Sequence, residues 1–189
     1  MKPTTQLLMA TVFGVLSSVF GGCSKPEYEP ADVYVGLRGQ VLKLTAEQIH
    51  FSPSAENPKV LAMLMETGYS GAVATLVSVT DGAASLYFSN GGGIIGSGEN
   101  EAPKAASKAL VRAAEQYVKD CKRVTEFPLP HKGSTRFYFV TVGGVFSMEA
   151  PEDDLGDNRH RLSPLFHKAH QLITQIRLED EKRSAKNSK

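Results

Sequence analysis

Three histidines and a run of acids sit close together late in the chain: His160, His167 and His170, preceded by Asp153, Asp154 and Asp157. Neutral imidazoles plus a carboxylate make a reasonable zinc set, and His167 and His170, three residues apart, share a flank of a helix. With Asp157 they are the candidate metal ligands, and the whole cluster would serve a small metal-dependent hydrolase. Counting about 100° per residue, however, places His167 opposite the apolar stripe of Leu165, Ala169 and Ile176, with His170 also off it. The expectation is therefore solvated histidines, with a pH-sensitive partner contact or a metal site as the alternatives. Glu149, Glu152, Asp153, Asp154 and Asp157 read as a solvated acidic loop, because they lack the Asp-x-Asp-x-Asp-Gly spacing of a calcium loop. Paired carboxylates also serve glycoside hydrolysis, but their separation is not readable from spacing.

A second candidate is Gly91-Gly92-Gly93-Ile94-Ile95-Gly96, which has the form G-x-G-x-x-G between a strand and a helix. Its context argues against a dinucleotide site. The preceding strand belongs to a hairpin, Gly98 and Pro103 delay the helix, and Lys122-Arg123 stands near where a ribose-binding acid belongs. The loop reads as a tightly turned connector; the alternative is an anion held by the amides of Gly91, Gly92, Gly93, Gly96 and Ser97. Ser97 has glycines directly beside it, whereas a nucleophile elbow has them two positions away. Lys104, Lys108, Arg112 and Lys119 form a basic helix face, either plainly solvated or suited to acidic headgroups or an acidic protein. No cofactor is expected.

These residues must be positioned by recognisable elements. Asp81-Gly82 separates Ala72–Val79 from Ala84–Ser89, and Gly143-Gly144 separates Arg136–Val142 from Val145–Glu149; both are hairpin signals. Between them a helix is expected from Glu101 to Cys121, with Asn100 as cap and Ala106, Leu110, Ala113, Tyr117 and Cys121 on its apolar face. Cys121 is then a buried, reduced thiol. Ser163-Pro164 opens a last helix with the stripe Leu165, Ala169, Leu172, Ile173 and Ile176. Val33–Ile49 is expected to form a short helix. Asn57-Pro58 restarts the chain into a buried strand at Val60–Met65, stopped by Gly68 to Gly71. The sum is an α+β domain with one mainly antiparallel sheet of about five or six strands, flanked by about three helices. This element order resembles the roadblock, longin and profilin group of folds, which associates with GTPases and scaffolds.

The chain begins with Lys2 and a roughly 14-residue apolar run, Leu7 to Phe20, too short to span a membrane and suited to a cleaved leader. Gly21-Gly22-Cys23-Ser24 follows. This segment resembles a bacterial lipoprotein signal, with Phe20 where a Leu-type residue is usual. The resemblance implies a leader over 1–22, diacylglycerol on the Cys23 thiol, and outer-membrane sorting in a Gram-negative cell because Ser24 is not Asp. A tether follows at 23–31, one domain at 32–180 and a disordered, solvated tail at 181–189. The chain's 21 basic and 20 acidic residues include Lys2 in the leader, so the mature chain is balanced and has no field to attract nucleic acid. The functional expectation is a lipid-anchored cell-envelope binding or accessory module whose partners are the membrane, through Cys23, and an envelope protein. The alternative is the small envelope hydrolase built on His160, His167, His170 and the acidic loop.

Overall fold

The computed structural model describes residues 29–52, 54 and 59–187. Cys23, the leader, most of the tether and the expected restart at Asn57-Pro58 lie outside the described residues. The fold is α+β. Seven strands form one antiparallel sheet, and four α-helices cover it among the described residues.

Helix α1, Asp32–Leu42, leads into β1, Val60–Tyr69. The next strands are β2, Ala72–Val79, β3, Ala84–Phe88, and the two-residue β4, Gly93–Ile94. Helix α2, Glu101–Ala114, and a 3-10 stretch, Glu115–Asp120, then carry the chain across the sheet to β5, Lys122–Val124. A final hairpin, β6, Ser134–Thr141, and β7, Gly144–Pro151, precedes the short α3, Glu152–Gly156, and the long α4, Ser163–Asn187. In space the order is β4-β3-β2-β1-β6-β7-β5, so β1 is central and pairs with β2 and β6.

Centrality explains the apolar run at Val60–Met65. Every residue of β1 except Tyr69 is buried, because side chains alternate between two covered faces. One face carries Met63, Met65, Leu76, Leu86, Phe137 and Phe139 against Leu110 and Ala114 of α2 and Leu165, Ala169, Leu172 and Ile176 of α4. The other carries Ala62, Leu64, Val77, Tyr87, Tyr138 and Val140 beneath Tyr34 and Leu42 of α1.

The Asp81-Gly82 hairpin forms as expected. Gly82 has φ +102°, and the Asp81 carboxylate accepts the Ala83 N–H at 2.8 Å, which locks the turn. Several boundaries differ from expectation, each for a local reason. The second hairpin turns at Val142-Gly143 rather than Gly143-Gly144, since Thr141 pairs with Gly144 and the Thr141 hydroxyl closes the turn onto Gly144 O at 2.7 Å. The stop expected at Gly68 to Gly71 falls at Ser70-Gly71, with Gly71 at φ +77°; Gly68 and Tyr69 still belong to the strand, where Tyr69 pairs with Ala72. Helix α1 ends at Leu42 rather than near Ile49, where Lys43 and Leu44 N–H groups turn back onto Gln40 and Val41. The middle helix leaves α geometry at Ala114. Each 3-10 residue turns about 20° further than an α residue, so six of them rotate Cys121 by roughly 120° relative to the expected stripe. Cys121 is half-buried at the edge of the core, not inside it. The tail expected to be disordered from 181 continues as helix to Asn187, exposed over residues 181–186.

Candidate functional site

The most unusual chemistry lies in the middle of the sheet. Glu66 of β1 is fully buried at 0% exposure, between Thr75 of β2 and Arg136 of β6 in register. A carboxylate there requires a partner, and α1 supplies it. Tyr34 and Arg38 are four apart on α1 and so project from one face onto the sheet. Arg38 Nε and Nη2 donate to Glu66 Oε1 and Oε2 at 2.6 and 2.9 Å, a two-pronged charge-assisted pair. The guanidinium also stands 5.4 Å from the ring centre of Tyr138. Thr75 Oγ1 donates to Glu66 Oε1 at 3.4 Å, which uses its only proton, so the Tyr34 hydroxyl donates to Thr75 Oγ1 at 2.9 Å.

The surroundings keep these groups in fixed charge states. Burial, and then the charge of Glu66, push the Tyr34 hydroxyl far above the ordinary tyrosine range, so it stays a neutral donor. Tyr87, whose buried hydroxyl has no hydrogen-bond partner among the described residues, is raised for the same two reasons. Burial opposes the charge on Arg38, but its hydrogen bond and attraction to Glu66 outweigh that and hold it charged. Beside this pair, Arg136 bonds Glu149 and, at 3.4 Å, the Tyr138 hydroxyl, which itself donates to Pro128 O at 2.6 Å. Both oxygens of Glu66 accept hydrogen bonds, so it is not arranged as a base. Chemically, the network clamps α1 to the sheet and holds the Arg38 side chain, 11% exposed, at the floor of a cavity.

That cavity, of about 260 Å³, opens between α1 and the segment before β6. Pro30, Val35, Leu42, Phe127 and Leu129 form its apolar wall; among the described residues Arg38 and Lys43 are its only charged lining side chains. Phe127 is held edge-on to Tyr138, with ring centres 5.8 Å apart. Sequence reading missed this site. The available signal was Glu66 itself, which continues the phase of Ala62 and Leu64 beyond an apolar run and so had to be buried and paired.

The residues singled out from sequence lie elsewhere and are not brought together. In the glycine loop the Gly91 N–H bonds Phe88 O at 2.9 Å, the Gly92 N–H bonds Asn90 Oδ1 at 3.2 Å, and the Gly96 N–H bonds Ser85 Oγ at 3.5 Å. Gly93 pairs with Tyr87, where a Cβ would stand 2.5 Å from Tyr87 Cβ. The loop is thus a tight β3–β4 connection in which the Gly91, Gly92 and Gly96 amides are already engaged. Gly96 and Ser97 do line a cleft of about 220 Å³ against the end of α4. Four of its six charged side chains pair internally, Lys182 with Glu179 at 2.7 Å and Arg183 with Asp180 at 2.5 Å.

The metal set is likewise dispersed. Asp157 and Asp154 clasp Arg159, His167 Nε2 bonds Asn158 Oδ1 at 3.0 Å, and His160 Nδ1 accepts the Leu162 N–H at 3.2 Å. His170 lies against Phe166, ring centres 4.3 Å apart; burial, then the neighbouring His167, lower its pKa. Among the described residues no three His, Cys, Asp or Glu side chains are grouped to hold a metal. The acidic loop is instead partly structural: Glu152, Asp153 and Asp154 form the first turn of α3, favourable for the helix dipole. Of the basic face, Lys108, Arg112 and Lys119 are exposed, whereas Lys104 is half-buried over the Gly82 turn.

Cys121 Sγ donates to Tyr117 O at 3.2 Å, and burial, then Asp120, push its thiol pKa up to about 11. Little thiolate then exists near neutrality. Alkylation by iodoacetamide at pH 7.5 is expected to run at least about tenfold slower in the native protein than in the urea-unfolded chain, and to accelerate as pH rises. Equal rates would contradict the packing described for this thiol.

Among the described residues no helix is long and apolar enough to cross a membrane. No family model matches the chain, and neither a curated protein nor a solved structure matches it.

Proposed function

We propose that this protein is a lipid-anchored binding or accessory module of a bacterial cell envelope. The observation that carries the reading is the leader ending in Gly21-Gly22-Cys23-Ser24. A diacylated Cys23 would hold the domain at a membrane where one chain would not, and the tether would confine it there, raising its effective concentration toward an envelope partner. Ser24 favours the outer membrane if the cell is Gram-negative. The site supports binding over catalysis, because its carboxylate is occupied by Arg38 and Thr75 and its tyrosines are held neutral. The histidines and acids that a metal-dependent hydrolase would need are engaged separately.

Cys23→Ala is expected to move the protein from the membrane to the soluble fraction, and mass spectrometry of the native protein should show an acylated Cys23. A variant that remains membrane-bound, or a native Cys23 without acyl groups, would refute the anchor.

A further inference from the structure

We propose that the cavity beneath α1 binds the chain of a monoacyl anion, with its single carboxylate at the Lys43 end. Three observations lead there. The wall formed by Pro30, Val35, Leu42, Phe127 and Leu129 is apolar, and the volume of about 260 Å³ falls just below the usual range of small-ligand pockets, which suits one medium-length chain rather than a two-chain lipid. The charge is one-signed: among the described residues both charged lining side chains are cations and none is an acid. Glu66 already neutralises Arg38, so one net positive charge is left at Lys43, which is exposed. Lys43 caps α1, whose carbonyl end carries about half a negative charge, so the full charge on Lys43 still dominates there.

The third observation is placement. Pro30, at the end of the tether, is itself part of the wall, and it lies seven Cα-to-Cα steps from Cys23. Even fully extended, that stretch reaches only about 25 Å. The cavity mouth would thus work within a short distance of a bilayer, where free acyl chains concentrate. This last observation rests on the envelope reading; the lining and the charge do not.

Calorimetric titration of the purified full chain carrying Cys23→Ala, without detergent and below micelle-forming concentrations, provides the test. Octanoate, decanoate and decanol are the probes. Saturable one-to-one binding is expected, with decanoate tighter than octanoate by about fifteenfold, since each of its two additional buried CH2 groups contributes roughly a fourfold gain. Decanoate should also bind several-fold more tightly than decanol, and Lys43→Gln should erase that preference. Val33 and Val35 are both more than half exposed on α1, but only Val35 lines the cavity, so neither should be needed for folding. Val35→Glu is expected to weaken decanoate at least tenfold with an unchanged melting midpoint, while Val33→Glu leaves binding intact. Non-saturable uptake, no dependence on chain length, equal affinity for decanol, or indifference to Val35→Glu would each overturn the proposal. None of these results depends on whether Cys23 is acylated, so the anchor and the cavity stand or fall separately.

Discussion

Arg38→Met is expected to lower unfolding free energy by about 3–5 kcal/mol, since it leaves a buried carboxylate without its counter-charge. Glu66 is 0% exposed and holds both oxygens toward the guanidinium, so no solvent-facing rotamer offers relief without opening the sheet. The Thr75 hydroxyl at 3.4 Å is too weak a donor to compensate. Limited water entry from the cavity beside Arg38, 11% exposed, would bring the loss toward the lower end of that range. Urea unfolding measures it. Arg38→Met combined with Glu66→Leu should recover most of the loss, because two apolar groups satisfy each other where one charge cannot. A single variant as stable as the native chain would mean that the pair does not clamp α1 to the sheet.

Gly68→Ala is expected to cost about 2–3 kcal/mol through overpacking. A Cβ at Gly68 would stand 2.2 Å from His131 O, 2.6 Å from His131 C and 2.8 Å from Pro130 O. All three are backbone atoms, so no side chain can rotate out of the way. The crossing segment is itself fixed, because the Gly133 N–H donates to Gly68 O at 2.9 Å and Lys132 bridges to Gly68. In a domain of this size the melting midpoint should fall by about 2–4 °C for each kcal/mol. Gly36→Ala is the control, since nothing lies within 4 Å of a Cβ there and no loss is expected. An unchanged midpoint in Gly68→Ala would show that the segment over β1 yields freely.

The elements that sequence made legible were those whose local signals agree with their tertiary setting. Asp81-Gly82 favours a tight turn and forms one, and the stripe from Leu165 to Ile176 faces the sheet because nothing in α4 interrupts its period. Gly68 misled because a strand glycine that admits a crossing backbone looks, in isolation, like a breaker. The strands Gly93–Ile94 and Lys122–Val124 are too short to show any alternation. Cys121 was displaced by a change of helix type that composition does not announce. The candidate site was nearly invisible for a different reason. Its partners, Arg38 and Glu66, are 28 residues apart, and only the pairing of strands and helix brings them together. The histidines drew notice through proximity in sequence, and that proximity is met by short local bonds.

The long passage of α2 over the sheet also dictates when the molecule can be completed. Strands β1 to β4 pair with near neighbours and can zip early, yet β1 then offers a naked edge to its surroundings until β6 arrives; Thr67 and Thr135, which bond across that seam, are 68 residues apart. Such distant pairings close slowly, and an apolar strand with an open rim is a template for wrong partners. A chain emerging amino end first would therefore present its most aggregation-prone segment, Val60–Met65, well before the strand that covers it is made. Any holding factor that attends this protein at birth should be needed for the interval between those two segments, and dispensable once Ser134–Thr141 has docked.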